Sequence, residues 1–405
     1  MRVQVLGAGV AGVTTAYYLS QLGCEVTVLE RSAAAGAGAS FANGGQLSYS
    51  FTDSLANPRF LAALPGLLAG RDPAVKIKLD VGLLRWGSRF LRECTSRQAQ
   101  ANTVAVLELA MRSAERLQEL RASLPFDFSH RRAGKLVMLR NDDELAAAKA
   151  GVALKRQYGC NTTILTPGEA TAIEPALAEM AVRWRGAVHS DQDEVADAHA
   201  FVTGLAAWLE QRGEAAFRYG ATVENIVVKA GRATAVRVDG EQYEADAVVV
   251  CLGAWSPALL RRAGVELPVY PVRGYSVTLP PGESPPAVSV TALSDRVLFA
   301  RINGRLRISG FADFLGFSDN RDPARTRALL ESARRIAPRA ADYAADDVAP
   351  WGGLRPMTPD GRPRTGPTAI AGLYTNTGHG MLGWTLAAAS AADLAAVVVR
   401  QHRVG

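Results

Sequence analysis

Three glycines near the start of the chain have the spacing of a phosphate-binding turn. Gly7–Ala8–Gly9–Val10–Ala11–Gly12 follows the apolar run Val3–Leu6 and precedes Thr14–Leu22, whose spacing is helical. Gly7 permits the sharp strand-to-helix turn. Gly9 lets the backbone approach a pyrophosphate, and Gly12 lets the helix pack close to the strand. An anionic phosphate then meets the free N–H groups around Val10 and Ala11 at the positive end of the helix dipole. A second apolar run, Val26–Leu29, ends at Glu30, 18 residues beyond Gly12, and Arg31 follows. A carboxylate at that place accepts hydrogen bonds from a ribose diol and repels a 2′-phosphate. With strand, helix, second strand and acid all in place, the motif is specific for a dinucleotide. It does not separate NAD from FAD.

Two further glycine turns favour FAD. Val250–Cys251–Leu252–Gly253–Ala254–Trp255 ends an apolar strand far from the first turn and offers a long nucleotide a second wall. Thr377–Gly378–His379–Gly380–Met381–Leu382 stands at the start of an apolar helix, where N–H groups stabilise negative charge on a reduced flavin ring. Taken singly, each is equally an ordinary turn between strand and helix. An NAD-linked dehydrogenase is the competing enzyme reading, disfavoured by the single N-terminal fingerprint and the distant C-terminal glycine turn. No metal site is expected. The five histidines form no close cluster, and Cys24, Cys94, Cys160 and Cys251 have no ligand spacing. The cysteines read as reduced, buried thiols.

These turns need elements to hold them. Residues 31–50 read as a long loop rich in alanine, glycine and serine. Helical spacing recurs over 100–122, Glu144–Gln157, Ala196–Gln211 and Leu382–Val399. Leu136–Leu139, Ala247–Cys251 and Leu373–Thr375 read as strands. Val223–Val228, Ala233–Val238 and Glu241–Ala245 read as an antiparallel meander with turns at Gly231 and Gly240. Further strands are expected within 268–315. The first and last strand–glycine–helix units bracket the chain. The expected fold is therefore α/β: a Rossmann-like FAD-binding domain with an inserted α+β substrate domain on an antiparallel sheet. The nucleotide domain is expected over 1–50, 190–262 and 345–405, and the substrate domain over 51–189 and 263–344.

The 405 residues suit two closely packed domains. Apolar residues make up 48% and charged residues 21%, which excludes global disorder. A net charge of +6 without a basic, aromatic-laced block gives no sign of nucleic-acid binding. The N-terminal strand runs straight into glycines, unlike a secretory signal. No uninterrupted apolar stretch has spanning length, and Asp393 breaks the C-terminal run. The expected location is the cytoplasm, with peripheral contact at the inner membrane left open. Phe60–Ala69 is apolar and is followed by Arg71, Lys76 and Lys78. It reads as an active-site lid or buried loop, or as a membrane-touching segment.

The N-terminal unit resembles that of the bacterial D-amino-acid dehydrogenases, as do the segments Ser40–Phe41–Ala42–Asn43–Gly44–Gly45–Gln46 and Val269–Tyr270–Pro271–Val272–Arg273–Gly274–Tyr275–Ser276. So do Gly353–Leu354–Arg355–Pro356–Met357–Thr358–Pro359–Asp360–Gly361 and Asn376–Thr377–Gly378–His379–Gly380, the two most specific stretches. Those enzymes belong to the wider D-amino-acid oxidase superfamily, with glycine and sarcosine oxidases. The resemblance runs end to end in the same order. It implies non-covalent FAD and oxidation of a D-amino acid to an imino acid, which water converts to a 2-oxo acid and ammonia. It also implies delivery of electrons to a membrane quinone or another acceptor.

The resemblance places Arg355 on the substrate carboxylate, which a planar guanidinium can hold with two parallel hydrogen bonds. A structural arginine satisfying loop carbonyls is the alternative. Tyr275 is a candidate second contact through its hydroxyl, or a core aromatic. His379 is a candidate for touching flavin or substrate, or a support for its turn. Ser40, Asn43, Gly44 and Gln46 resemble the loop along pyrophosphate and flavin. Val223, Gly253, Trp255, Gly378, Gly380, Met381 and Leu382 complete the expected cofactor set. Phe41, Tyr49 and Phe51 are candidates to wall the substrate cavity, with core packing as their default. The implied mechanism anchors the carboxylate on Arg355 and passes a hydride from Cα of the neutral amine to flavin N5, so no strong base is required. Two other readings stay open: a secondary-amine substrate such as D-hydroxyproline, D-proline or sarcosine, and a non-catalytic flavin-binding subunit.

Overall fold

The structure, a computed structural model, describes residues 1–317 and 322–404. Among the described residues one six-stranded sheet carries the glycine turns. Its order is Arg364–Pro367, Leu373–Thr377, Ala247–Val250, Arg2–Leu6, Glu25–Glu30, Ala215–Tyr219. All neighbours are parallel except the first pair. Ala247–Val250 is buried at every position, as a central parallel strand with both faces covered must be. The helix Val10–Gln21 lies on one face with Gly383–Val404 and Ser96–Ser123 stacked beyond it. Alanines at 387, 388 and 395 keep the C-terminal helix thin enough to sit in that core. By length and composition, Gly383–Arg403 passes as a membrane span, but 61% of it is buried inside the protein.

The second large sheet runs in the order Ala349–Met357, Tyr270–Leu279, Arg305–Phe314, Val297–Ile302, Ser289–Ala292, Lys135–Leu139, Gly186–Ser190, Thr162–Leu165. Most pairs are antiparallel. Ser289–Ala292 lies parallel to Lys135–Leu139, and Val75–Ile77 adds in parallel to the end of Arg305–Phe314. The helix Pro323–Ile336 covers one face through Leu329, Ala333 and Ile336. The other face looks towards the glycine turns. The meander Val223–Lys229, Arg232–Val238, Glu241–Glu244 forms a small separate sheet, with the expected turns at Gly231 and Gly240.

Two stretches pack differently from the expected segment boundaries. Ala349–Met357, placed with the nucleotide segments by a boundary at 345, pairs along its whole length with Tyr270–Leu279 in the second sheet. Ser96–Ser123, placed with the substrate segments, buries Val106, Ala110, Leu117 and Leu120 in the core of the first. Both packings are non-local, so spacing along the chain does not reveal them. The apolar stretch at 60–69 lies in a helix, Pro58–Leu68, and a second helix, Val81–Glu93, forms where no element was expected. Their starts are fixed by side-chain caps: Asn57 accepts from Arg59 and Phe60, and Asp80 accepts from Leu83.

Gly12 is the tightest point of the first unit. A Cβ there would lie 1.8 Å from the Gly7 carbonyl oxygen, which is backbone and cannot move aside cheaply. Gly12→Ala is expected to lose about 1–3 kcal/mol of stability or more. Gly66→Ala, in a helix where a Cβ meets nothing within 4 Å, should instead gain up to about 1 kcal/mol. Urea unfolding of the two variants tests the pair.

Candidate active site

A cavity of about 1390 Å³ lies between the two large sheets. At one end stands the glycine turn. Gly7 has φ of +101°, and its missing Cβ clears the carbonyl of Cys251. Glu30 braces the same turn, its two oxygens accepting from the N–H of Ala8 and of Ser32, each at 2.8 Å. The Ser40 hydroxyl accepts from the Val10 N–H at 3.0 Å, which ties the 31–50 loop to the start of the helix. Arg31 lies over the Trp255 ring, 4.1 Å from its centroid. Gly9, Val10, Ala11, Val223 and Gly253 border the cavity beside them. The elongated space, its glycine floor and the carboxylate at its end fit a dinucleotide.

The middle of the cavity is bordered by Asn43, Gly44 and Gln46 from the loop, and by Gly380, Met381 and Leu382 from the last turn. Asn43 caps its own turn by accepting from the Gly45 N–H. A Cβ on Gly44 would strike Ser309 Oγ, so the loop passes flat against the second sheet. Gly12 and Gly378 do not border the cavity. Gly12 sets the helix against the strand, and Gly378 (φ +77°) packs on Thr358. Phe51 borders the cavity. Tyr49 is a core residue donating to Glu194, and Phe41 stands exposed against His199.

Arg355 closes the far end. It pairs with Val272 across the strands, and its guanidinium lies over Gly274, where any Cβ would collide with it. Gly353 does the same for the ring of Trp351, so two glycines clear a floor for two large side chains. Arg355 Nη1 donates to the Phe311 carbonyl at 2.7 Å. Phe311 holds a φ of +59° beside a register shift between the strands, a rare conformation for a bulky residue. Among the described residues Arg355 has no carboxylate within ion-pair distance. Burial lowers its pKa to about 10, with Asp313 acting in the opposite sense. It therefore stays cationic at neutral pH.

Tyr275 borders the cavity, but its hydroxyl does not face it as the expected substrate contact requires. Strand alternation puts Gly274 and Ser276 on the cavity side, where the Ser276 hydroxyl donates to the Ala42 carbonyl. The Tyr275 ring points the other way, into the core under Pro323–Ile336. Its hydroxyl donates to Asp313 at 2.8 Å, and burial together with that carboxylate raises its pKa. Asp313 is fully buried and also accepts from Arg325 at 2.6 Å. Tyr275 thus belongs to a network behind the strand that carries Arg355's partner Phe311. His379 borders the cavity but is buried, with Nε2 3.0 Å from Ser390 Oγ. Burial lowers its pKa to about 4, so it is neutral and tethers the turn to the last helix.

Lys135 was not anticipated. It is buried, borders the cavity, and donates to Gln46 Oε1 at 2.9 Å and Ser48 Oγ at 2.8 Å. It lies 4.3 Å from the Phe51 ring centroid. Burial pushes its pKa down to about 8, against the pull of Asp193. The signal was a lone lysine opening the wholly buried strand KLVML.

Fold and cavity together define a dinucleotide-dependent redox protein. The model of the FAD-dependent oxidoreductase (DAO) family matches residues 2–397, and the chain belongs to that family. It is 42% identical to a protein named D-amino acid dehydrogenase 2 from Ralstonia nicotianae, over 99% of this chain and 97% of that one. It is 40% identical to one named D-amino acid dehydrogenase from Dechloromonas aromatica, over 98% and 97%. Among solved structures it resembles L-proline dehydrogenase from P. horikoshii, with TM-score 0.76 and 19% identity over 98% of this chain and 93% of that one. Glycine oxidase from Geobacillus kaustophilus gives 0.74 and 23%, over 98% and 95%.

His379 carries a pH prediction. Its folded pKa lies below the ordinary 6.5, so the native state rejects a proton that the unfolded chain accepts. The stability this gives is complete above about pH 6.5 and is lost as pH falls towards 4, by about 3 kcal/mol. His379→Asn should flatten that limb of a stability–pH profile measured by chemical denaturation.

Proposed function

We propose that the chain oxidises free D-amino acids at Cα and hands the electrons to a membrane quinone. The observation that carries this reading is Arg355, a half-buried cation in the cavity wall whose donors meet only carbonyls. A substrate carboxylate supplies the missing negative charge, and the planar guanidinium fixes its orientation. Gly7, Gly9, Val10, Ala11, Glu30 and Arg31 would hold the nucleotide end of FAD. Ser40, Asn43, Gly44, Gln46, Val223, Gly253, Trp255, Gly380, Met381 and Leu382 would hold the rest, with Gly12 and Gly378 shaping the turns. FAD, when bound, supplies the two-electron acceptor.

The protein's own contribution is orientation and exclusion of water. Arg355 holds the carboxylate, and Trp351 over Gly353 walls one side of the anchored Cα. His379, neutral and tied to Ser390, supplies no base. The amine therefore reacts in its neutral form, having left its proton to solvent. The imino acid released is hydrolysed in water to the 2-oxo acid and ammonia. The nucleotide-binding unit is proposed to be built from 1–50, 190–262 and the segment after 357, with the second sheet supplying the substrate wall.

Membrane contact is proposed at the two surface helices. Leu61, Leu68, Leu84 and Leu91 are exposed there, with Leu79 and Val81 beside them. Arg59, Arg71, Lys76 and Lys78 flank them, as suits an anionic bilayer surface. Wild-type protein should sediment with anionic vesicles, and Leu68→Glu/Leu84→Glu should not. Equal sedimentation would end the membrane proposal.

The catalytic reading is tested by adding D- and L-amino acids anaerobically to the flavin-loaded protein. D-amino acids should bleach the flavin bands. Arg355→Lys should raise KM about 10- to 100-fold, equivalent to the ~1.5–3 kcal/mol of a charged hydrogen-bonded contact, with the bound-flavin spectrum unchanged. An unchanged KM would remove Arg355 from the substrate.

A further inference from the structure

We propose that the cavity selects D-amino acids with large apolar side chains, received by a wall built from Leu83, Trp86, Phe90 and Phe314. This rests on the reading of Arg355 as the carboxylate anchor. Val272 stands directly opposite Arg355 in the strand pairing, so the two side chains leave the same face of the sheet. Val272 packs in one cluster with Trp86, Phe90, Phe314 and Met357. A carboxylate on Arg355 therefore has this cluster as its neighbour.

The wall is pre-formed. Leu83, Trp86 and Phe90 recur at three- and four-residue spacing, which puts them on one face of the helix Val81–Glu93. Trp86 Nε1 donates to the Met357 carbonyl at 2.8 Å, which spends its one polar group. Its ring stacks on Phe90 at 4.9 Å between centroids, and Phe60 meets Phe90 edge-on at 4.8 Å. Phe314 stands 6.1 Å from Trp86 on the other side. All four proposed wall residues border the cavity, so they are not merely a filled core.

The two helices bring no charge to this wall. The two helices Pro58–Leu68 and Val81–Glu93 carry Arg59, Arg85, Arg89, Arg92 and Glu93, and none of these borders the cavity. The charges that do border it, Arg273 and Arg296 among them, come from other elements than these helices. A carboxylate, ammonium or amide on the substrate side chain would lose water against the wall and find no partner. An added methylene would gain burial worth about fourfold in affinity.

The test uses flavin-loaded protein and two series. In the first, anaerobic flavin reduction gives kcat/KM for D-Ala, D-2-aminobutyrate, D-norvaline, D-Leu, D-Phe, D-Glu and D-Lys. Values should climb with apolar size. D-Phe should exceed D-Ala at least tenfold, and D-Glu and D-Lys about a hundredfold. Leu83→Phe, which fills the wall, should lower kcat/KM for D-Phe about tenfold more than it lowers that for D-Ala. In the second, binding of unreactive carboxylates is read from perturbation of the flavin spectrum, with phenylacetate expected to bind at least tenfold tighter than acetate or succinate. D-Glu or D-Lys turning over as well as D-Phe would sink the apolar wall while leaving Arg355 as anchor. If no D-amino acid reduces the flavin, the proposed function fails. The carboxylate series then decides the wall alone, and equal binding of phenylacetate and succinate would overturn it.

Discussion

The Arg355 guanidinium sits against backbone carbonyls in a cavity wall, with no carboxylate in ion-pair reach among the described residues. A half-buried cation in that state is costly unless negative charge arrives, and desolvation has already pulled its pKa down to about 10. Much of the second sheet serves to keep it there. Gly274 removes the Cβ that would strike its guanidinium, as Gly353 does for the neighbouring Trp351 ring. Phe311 accepts an unfavourable backbone conformation that turns its carbonyl onto Nη1. Behind the sheet, Asp313 gathers Tyr275, Arg325 and the Lys76 N–H. That network fixes the strand in which Phe311 lies.

The glycine turn and the anionic-ligand end of the cavity obey the same logic with opposite sign. Glu30 spends one oxygen on the Ala8 N–H of the turn and the other on the Ser32 N–H just beyond its own strand, so its charge is local and directed. The 31–50 loop joins the two ends. Ser40 grips the first helix, the Ala42 carbonyl accepts from Ser276, and Gln46 donates to Ser289 in the second sheet. One loop therefore registers the nucleotide layer against the substrate layer. It has little regular structure because its polar groups are satisfied across the interface rather than along the chain.

The sequence made the local parts readable. The 7–12 turn, Glu30, the meander around Gly231 and Gly240 and the last helix are each fixed by neighbours a few residues away, and each stands where spacing put it. What the sequence hid depends on partners far along the chain. Tyr275 looked like a site residue because it lies in a site strand, but the pleat decides its face, and Gly274 and Ser276 show which face that is. Ala349–Met357 joins the second sheet through nine paired positions with a strand some 80 residues earlier. Lys135 gave only a compositional hint, since a buried lysine needs Gln46 and Ser48 beside it before it makes physical sense.

Charge placement also explains the absence of an obvious catalytic base. His379 is neutral because it is buried and bonded to a serine. Tyr275 is neutral because Asp313 already occupies its proton. Lys135, with its pKa drawn down to about 8, has its nearest bonds with neutral oxygens. None of these groups is poised to remove a proton from carbon. A dinucleotide-sized trough with a cationic guanidinium at one end and an apolar cluster beside it suits a reaction in which Cα–H departs with its electrons. Orientation then replaces acid–base chemistry as the protein's main contribution.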